Sequence, residues 1–249
     1  MDPLPSPSYD VEITFFIPCY NEAENIVAAI CTILTTMSQE TLGYEIIIID
    51  DASSDDSVKV IKEFIGANPD LPIYLYEQTE NQNLGFNFAE AAFLAKGKYF
   101  KQLNGKNDTS VEDLKRLLGK IGTADIILPY YDFSQRALYR RLFSSVYLYL
   151  VNIINGRRIR YYNGLPIFLR QDVLRWHART HGYGYQAMLI SRLLQEGRSF
   201  VEIKVNFYER QQGKSKIFRL CNFFAVLYSL IEILAIRLSG LCYRRKSKK

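Results

Sequence analysis

Apolar runs rich in β-branched residues recur at regular intervals through the first half of the chain, and helical patterns separate them. The runs are Ile13–Cys19, Glu45–Asp50, Ile73–Glu77, Tyr99–Leu103 and Asp125–Leu128. Each has the length of a strand, and each is apolar on consecutive positions, as a strand buried on both faces must be. The intervening stretches 22–37, 54–66, 84–96 and 110–120 carry helical periodicity. This alternation predicts an α/β fold with an open, mostly parallel sheet and helices on both faces. Thr109-Ser110 ahead of Glu112-Asp113 predicts a capped helix start, as does Ser54. Gly66, Gly97 and Gly119 fall where helices should stop.

After Pro129 the rhythm changes. A long aromatic helix is expected over 137–154, a basic turn at Gly156-Arg157-Arg158, a short strand over 165–169, a helix over 185–195 and a strand over 200–207. The segment 220–241 is mostly Leu, Ile, Phe and Ala, but Glu232 and Arg237 make spanning a bilayer costly. An apolar, membrane-associated helix lying in the lipid interface fits it better, and a helix packed on the domain is the alternative.

Charge sharpens that expectation. The net charge of +5 equals the contribution of Arg244, Arg245, Lys246, Lys248 and Lys249, leaving 26 basic against 26 acidic residues in the body. A balanced body argues against nucleic acid as a partner, and a basic tail beside an apolar helix favours an anionic membrane surface. Cys19, Cys31, Cys221 and Cys242 are widely separated and lack histidine neighbours, so neither a zinc site nor a disulfide framework is expected. Residues 1–10 lack the basic and apolar regions of a secretory leader. The expected organisation is a flexible 1–10, one domain over 11–216, a helix over 217–243 and a tail over 244–249.

Ligands of open α/β sheets collect beyond the carboxyl ends of the strands. There the chain places Pro18-Cys19-Tyr20-Asn21-Glu22 after the first run and Asp50-Asp51-Ala52-Ser53-Ser54-Asp55 after the second. Tandem carboxylates can accept hydrogen bonds from a nucleobase imide and from ribose hydroxyls, and the Tyr20 ring can flank a base. Neither a GxGxxG fingerprint nor a P-loop is present.

These motifs, followed by Asn83-Leu84-Gly85, resemble the nucleotide-sugar half of family 2 glycosyltransferases with a GT-A fold. Tyr162-Asn163-Gly164, Gly182-Tyr183-Gly184-Tyr185 and Arg210 with Gly213-Lys214-Ser215-Lys216 resemble the branch that glycosylates polyprenyl phosphates, dolichol phosphate among them. The resemblance implies an inverting transferase using a nucleotide sugar, peripheral on the cytoplasmic face of a membrane. It implies nucleotide contacts by Pro18, Tyr20, Glu22, Asp50, Asp51, Gly85 and Asn104. It also implies diphosphate contacts by Arg210, Lys214 and Lys216, where fixed cations meet the charge of the leaving group.

One departure stands out. Where the family carries DxD, this chain has Asn104-Gly105-Lys106, with Glu112-Asp113 matching a downstream acidic pair. A lysine cannot ligate a cation, but its ammonium can take a cation's place against a diphosphate. No metal cofactor is therefore expected and Lys106 joins the catalytic set, with Mg²⁺ or Mn²⁺ retained only if Asp108 supplies a ligand. Arg136 and Arg140, with Arg141, Arg157, Arg158 and Arg160, are candidates to hold an acceptor phosphate. Near Tyr185 the chain offers Gln186 and no acid, which favours a phosphate acceptor over a hydroxyl that needs a base. Transfer to a glycan or lipid hydroxyl, a silent nucleotide-sugar-binding protein, and a homo-oligomer stay open.

Overall fold

A computed structural model describes residues 10–131, 138–176, 184–206 and 220–246, with the side chains of 138–140, 220–225 and 241–246 excepted. The strands are β1 (Ile13–Cys19), β2 (Tyr44–Asp50), β3 (Ile73–Glu77), β4 (Tyr99–Gln102), β5 (Ile126–Tyr131), β6 (Ile167–Leu169) and β7 (Phe200–Val205). The helices are α1 (Ile26–Met37), α2 (Ser57–Ala67), α3 (Leu84–Leu94), α4 (Val111–Leu118), α5 (Leu138–Asn155), α6 (Arg170–Trp176), α7 (Tyr185–Gln195) and α8 (Leu220–Lys246).

All seven strands form one sheet in the order β3-β2-β1-β4-β6-β5-β7. Only β6 runs antiparallel, wedged between β4 and β5. The consecutive apolar residues serve two cores. Phe16, Ile47, Ile49, Phe100 and Phe168 face α3, α5, α7 and α8, while Phe15, Ile17, Ile46, Ile48 and Ile167 face α1, α2 and α4. From β1 the chain winds outward to β3 and then returns to β4 on β1's other side. The switch point between β1 and β4 opens a crevice at their carboxyl ends, where such folds bind ligands.

Helix starts differ from the sequence expectation in ways that matter for the site. α1 begins at Ile26, because residues 22–25 form a turn in which Asn25 N donates to Glu22 O at 2.9 Å. α2 begins after Asp56, and Ser54 does not cap it: the Ser54 N–H donates instead to Asn21 Oδ1 at 2.8 Å. Ser110 caps α4 as expected, accepting from Asp113 N. The short helix α6 was not expected. α8 takes in three of the five basic residues placed in the tail, and no helix among the described residues is long and apolar enough to cross a membrane.

Gly97 has a role other than stopping a helix. A Cβ there would lie 2.5 Å from Thr14 N, where Gly97 N donates to Thr14 Oγ1 and Thr14 Oγ1 donates to buried Glu45 at 2.6 Å. The Gly97→Ala variant should therefore lose ~1–3 kcal/mol of stability by forcing β1 and β4 apart. Urea unfolding checks this, and an unchanged midpoint would refute it.

Candidate active site

The crevice is built from three loops tied to one another. After β1, Asn21 turns the chain with φ 57°, and after β2, Ala52 does so with φ 61°. Asn21 N donates to Ser53 Oγ, Glu22 N to Ser57 Oγ, both at 2.9 Å, and Ala23 N to Asp55 Oδ2 at 3.2 Å. Below them Asp51 N donates to Cys19 O at 2.8 Å. Ser and Asp side chains thus satisfy the backbone donors between β1 and α1.

The tandem aspartates sit at the centre of this arrangement and are almost wholly buried. Both Asp50 oxygens accept from Ser53, Oδ2 from its N–H at 2.9 Å and Oδ1 from its hydroxyl at 2.5 Å. Asp51 reaches to the third loop, where Oδ1 accepts from Gln82 N at 2.7 Å and Oδ2 from Asn83 N at 3.2 Å. Asn83, at φ 71°, leads into α3 and its buried Gly85. All four carboxylate oxygens therefore hold loops in place, a duty the sequence did not reveal. Tyr20 is exposed beside them and free to flank a flat ring. Burial and the Asp50 charge push the Cys19 thiol up to about 12, so it is no nucleophile.

The segment at the DxD position forms a turn in which Asn107 N donates to Asn104 O, with Asn107 at φ 56°. Asn104 Nδ2 donates to Asp108 Oδ2 at 2.8 Å, and Thr32 of α1 donates to Asn107 Oδ1 at 2.8 Å. A Cβ at Gly105 would stand 2.9 Å from Pro18 O and 3.5 Å from Glu22 Cγ. The turn is thereby pressed against the β1 loop, with Lys106 exposed at its tip.

These donors do not fit a divalent cation. An amide and an ammonium replace two carboxylates, and Asp108 already accepts from Asn104. Among the described residues no group of three or more His, Cys, Asp or Glu could hold a metal. The downstream acidic pair is divided: Glu112 is exposed, while buried Asp113 accepts from Asn206 N at 3.0 Å and from Arg116, joining α4 to the end of β7.

A polar recess that the sequence reading missed lies next to the turn, lined by Lys101, Asp108, Thr109, Asp113, Tyr131 and Asn206 among others. Lys101 is fully enclosed in β4 and donates to Leu165 O. Burial draws its ammonium down to about 7, opposed by Asp108. Tyr131 donates to Gly164 O at 3.3 Å, and burial raises its hydroxyl well above the ordinary value. A lysine within an otherwise buried strand pattern was the available signal.

Arg136, Arg210, Lys214 and Lys216 are outside the described residues, and Arg140 is on the first turn of α5. The exposed Arg160 guanidinium lies 4.5 Å over the Tyr130 ring and 3.9 Å from Glu202, and the Arg160 backbone N–H donates to Glu202 at 2.7 Å. Gln186 is buried, accepting from Leu165 N and donating to Tyr185 Oη.

The model of glycosyl transferase family 2 matches residues 14–197, and the chain belongs to that family. It is accordingly a glycosyltransferase. Among curated proteins it is similar to the undecaprenyl-phosphate 4-deoxy-4-formamido-L-arabinose transferase of Salmonella paratyphi B. The two are 25% identical over 237 residues, covering 92% of this chain and 70% of the relative. Solved structures of similar fold include the glucosyl-3-phosphoglycerate synthase of Mycobacterium tuberculosis in complex with UDP. That likeness has TM-score 0.66 at 12% identity, covering 91% of this chain and 80% of that one. Another is the mannosyltransferase PcManGT from Pyrobaculum calidifontis with GDP-Man and Mn²⁺, at TM-score 0.59 and 15% identity, covering 98% and 78%. The seven-stranded architecture is the expected GT-A one.

The recess carries a pH dependence. Unfolded, the Lys101 amine binds its proton below about 10.5, but folded only below about 7. Between these values the unfolded chain holds the extra proton, so stability rises with pH across that window. Lys101→Met should remove this part of the slope. Denaturation midpoints measured from pH 7 to 9.5 check it, and parallel curves for the two proteins would refute it.

Proposed function

We propose that the chain is an inverting transferase that moves a sugar from a nucleoside-diphosphate sugar to a polyprenyl phosphate, without a bound divalent cation. The observation that carries this reading is the turn 104–107, braced on Pro18 and Glu22 of the β1 loop with an exposed ammonium at its tip. The name of the Salmonella relative supports the lipid phosphate, and the UDP and GDP-Man bound by the fold neighbours support the donor.

In this mechanism an ionised acceptor phosphate oxygen attacks the anomeric carbon from the face opposite the nucleotide. The bond from that carbon to the diphosphate oxygen breaks, and its electron pair leaves with the nucleoside diphosphate. No general base is required, because the acceptor carries no proton to remove near neutral pH. The developing charge needs fixed cations instead. Lys106 supplies one, and the family resemblance assigns Arg210, Lys214 and Lys216 the same duty. Pro18, Tyr20, Glu22, Asp50, Asp51, Gly85 and Asn104 form the nucleotide cradle, with Asp50 and Asp51 acting largely by shaping the loops. Arg136 and Arg140 meet the acceptor phosphate. α8 and the basic tail rest on the cytoplasmic face of the membrane.

Transfer should proceed unchanged in EDTA, and Lys106→Ala should lower kcat/KM by about 100-fold, the scale of losing one charged stabiliser of a leaving group. The dephosphorylated polyprenol should accept no sugar. Activity abolished by EDTA and restored by Mn²⁺ would overturn the role of Lys106, and transfer to the free alcohol would overturn the acceptor.

A further inference from the structure

The outward face of α5 carries a continuous row of exposed apolar side chains. Leu142, Val146, Tyr149 and Ile153 follow one another at helical spacing, each half or more exposed, and Phe143 is 64% exposed beside them. The opposite face is committed to the core through Val151, Tyr147 and Asn155. α8 repeats the pattern, with Leu227, Ile231, Leu234 and Leu238 exposed at the same spacing. Tyr147 meets Ser229, and Gly156 lies by Arg237, so the two helices run side by side in the same direction. Soluble monomers rarely expose contiguous apolar patches of this kind without a partner.

Charge identifies the partner. No acidic residue occurs from 133 to 171, a stretch that contains seven arginines. Arg141 is exposed near the start of α5, and Arg157 and Arg158 are exposed just beyond its end. A second copy docking α5 against α5 would set these arginines against one another with no acid on that helix or its flanks to answer them. An anionic bilayer answers both features at once, taking the apolar row into its acyl boundary and the guanidinium groups at its headgroups. α5 is about 27 Å long at 1.5 Å per residue, but neither it nor α8 is long and apolar enough to span.

We propose that α5, lying flat beside α8, is the principal anchor of the chain on anionic lipid. This deepens the proposed function, on whose membrane-bound acceptor it rests, by moving the main contact from the C-terminal segment to the helix that follows β5. Since β5 ends at Tyr131 in the polar recess, seating α5 on the lipid holds the active-site edge of the sheet at a set height above the headgroups.

The test uses the full chain and vesicles of phosphatidylglycerol and phosphatidylcholine. Joint replacement Phe143→Ser, Tyr149→Ser and Ile153→Ser should reduce partitioning onto the anionic vesicles at least about tenfold. It should spare the thermal midpoint, and also transfer to a water-soluble short-chain polyprenyl phosphate. The same number of replacements on α8, at Leu227, Ile231 and Leu238, should cost less. Should the α5 variant misfold, Arg157→Ser with Arg158→Ser provides the second arm and should weaken anionic binding while leaving the weak binding to pure phosphatidylcholine unchanged. Wild-type partitioning retained by both variants would overturn the proposal. So would equal binding of the wild type to neutral vesicles, or a dimer in sedimentation that the α5 variant dissociates. Vesicle binding is read without turnover, so a chain that binds lipid by α5 yet transfers to no polyprenyl phosphate would refute the acceptor and not the anchor.

Discussion

The hydrogen bonds between the loops after β1 and β2 decide what the crevice can be. Serine and aspartate side chains from the second loop take up backbone N–H groups of the first, while Asp51 carries the connection on to the loop before α3. Burying two carboxylates is expensive unless they are fully hydrogen-bonded, and here the donors are supplied by the loops that need fixing. The arrangement stores strain as well. Ala52 in a left-handed conformation costs about 1–2 kcal/mol, and all five non-glycine residues with positive φ among those described, Asn21, Ala52, Asn83, Asn107 and Leu165, border the crevice or the recess. For the proposed nucleotide, such a prestrained rim would offer preformed edges rather than loops it must order itself.

Two lysines five residues apart show how environment divides the labour of like groups. Lys101 lies within β4, and desolvation brings its ammonium close to neutrality. Lys106 stands instead at the exposed tip of the following turn. In family members with the DxD motif a metal ion brings positive charge to the diphosphate. In the proposed mechanism this chain brings it covalently attached, as the Lys106 ammonium.

The body's balanced charge conceals a separation that matters at larger scale. Acidic residues gather around the β1 and β2 loops, and arginines gather along α5 and its flanks. Under the proposed function, this separation lets a soluble donor reach the crevice at one end of the sheet while a lipid-bound acceptor arrives from the side of the arginine-bordered helix pair.

Much of this was legible in the sequence. The apolar runs located β1 to β5, although β3 at the sheet's edge keeps Tyr74 and Tyr76 exposed, and the motifs after β1 and β2 marked the loops that line the crevice. Lys106 declared its departure directly. Hidden from the sequence were the duties of Asp50 and Asp51 in holding loops, the burial of Gln186, the engagement of Arg160 and the recess around Lys101. Most depend on partners distant along the chain: Asp51 meets Gln82, Lys101 meets Leu165, and Asp113 meets Asn206. The antiparallel β6 and the exposed row on α5 belong with them. Residue order sets local periodicity and the identity of chemical groups, whereas burial, and with it charge state and hydrogen-bond commitment, exists only once remote segments have packed together.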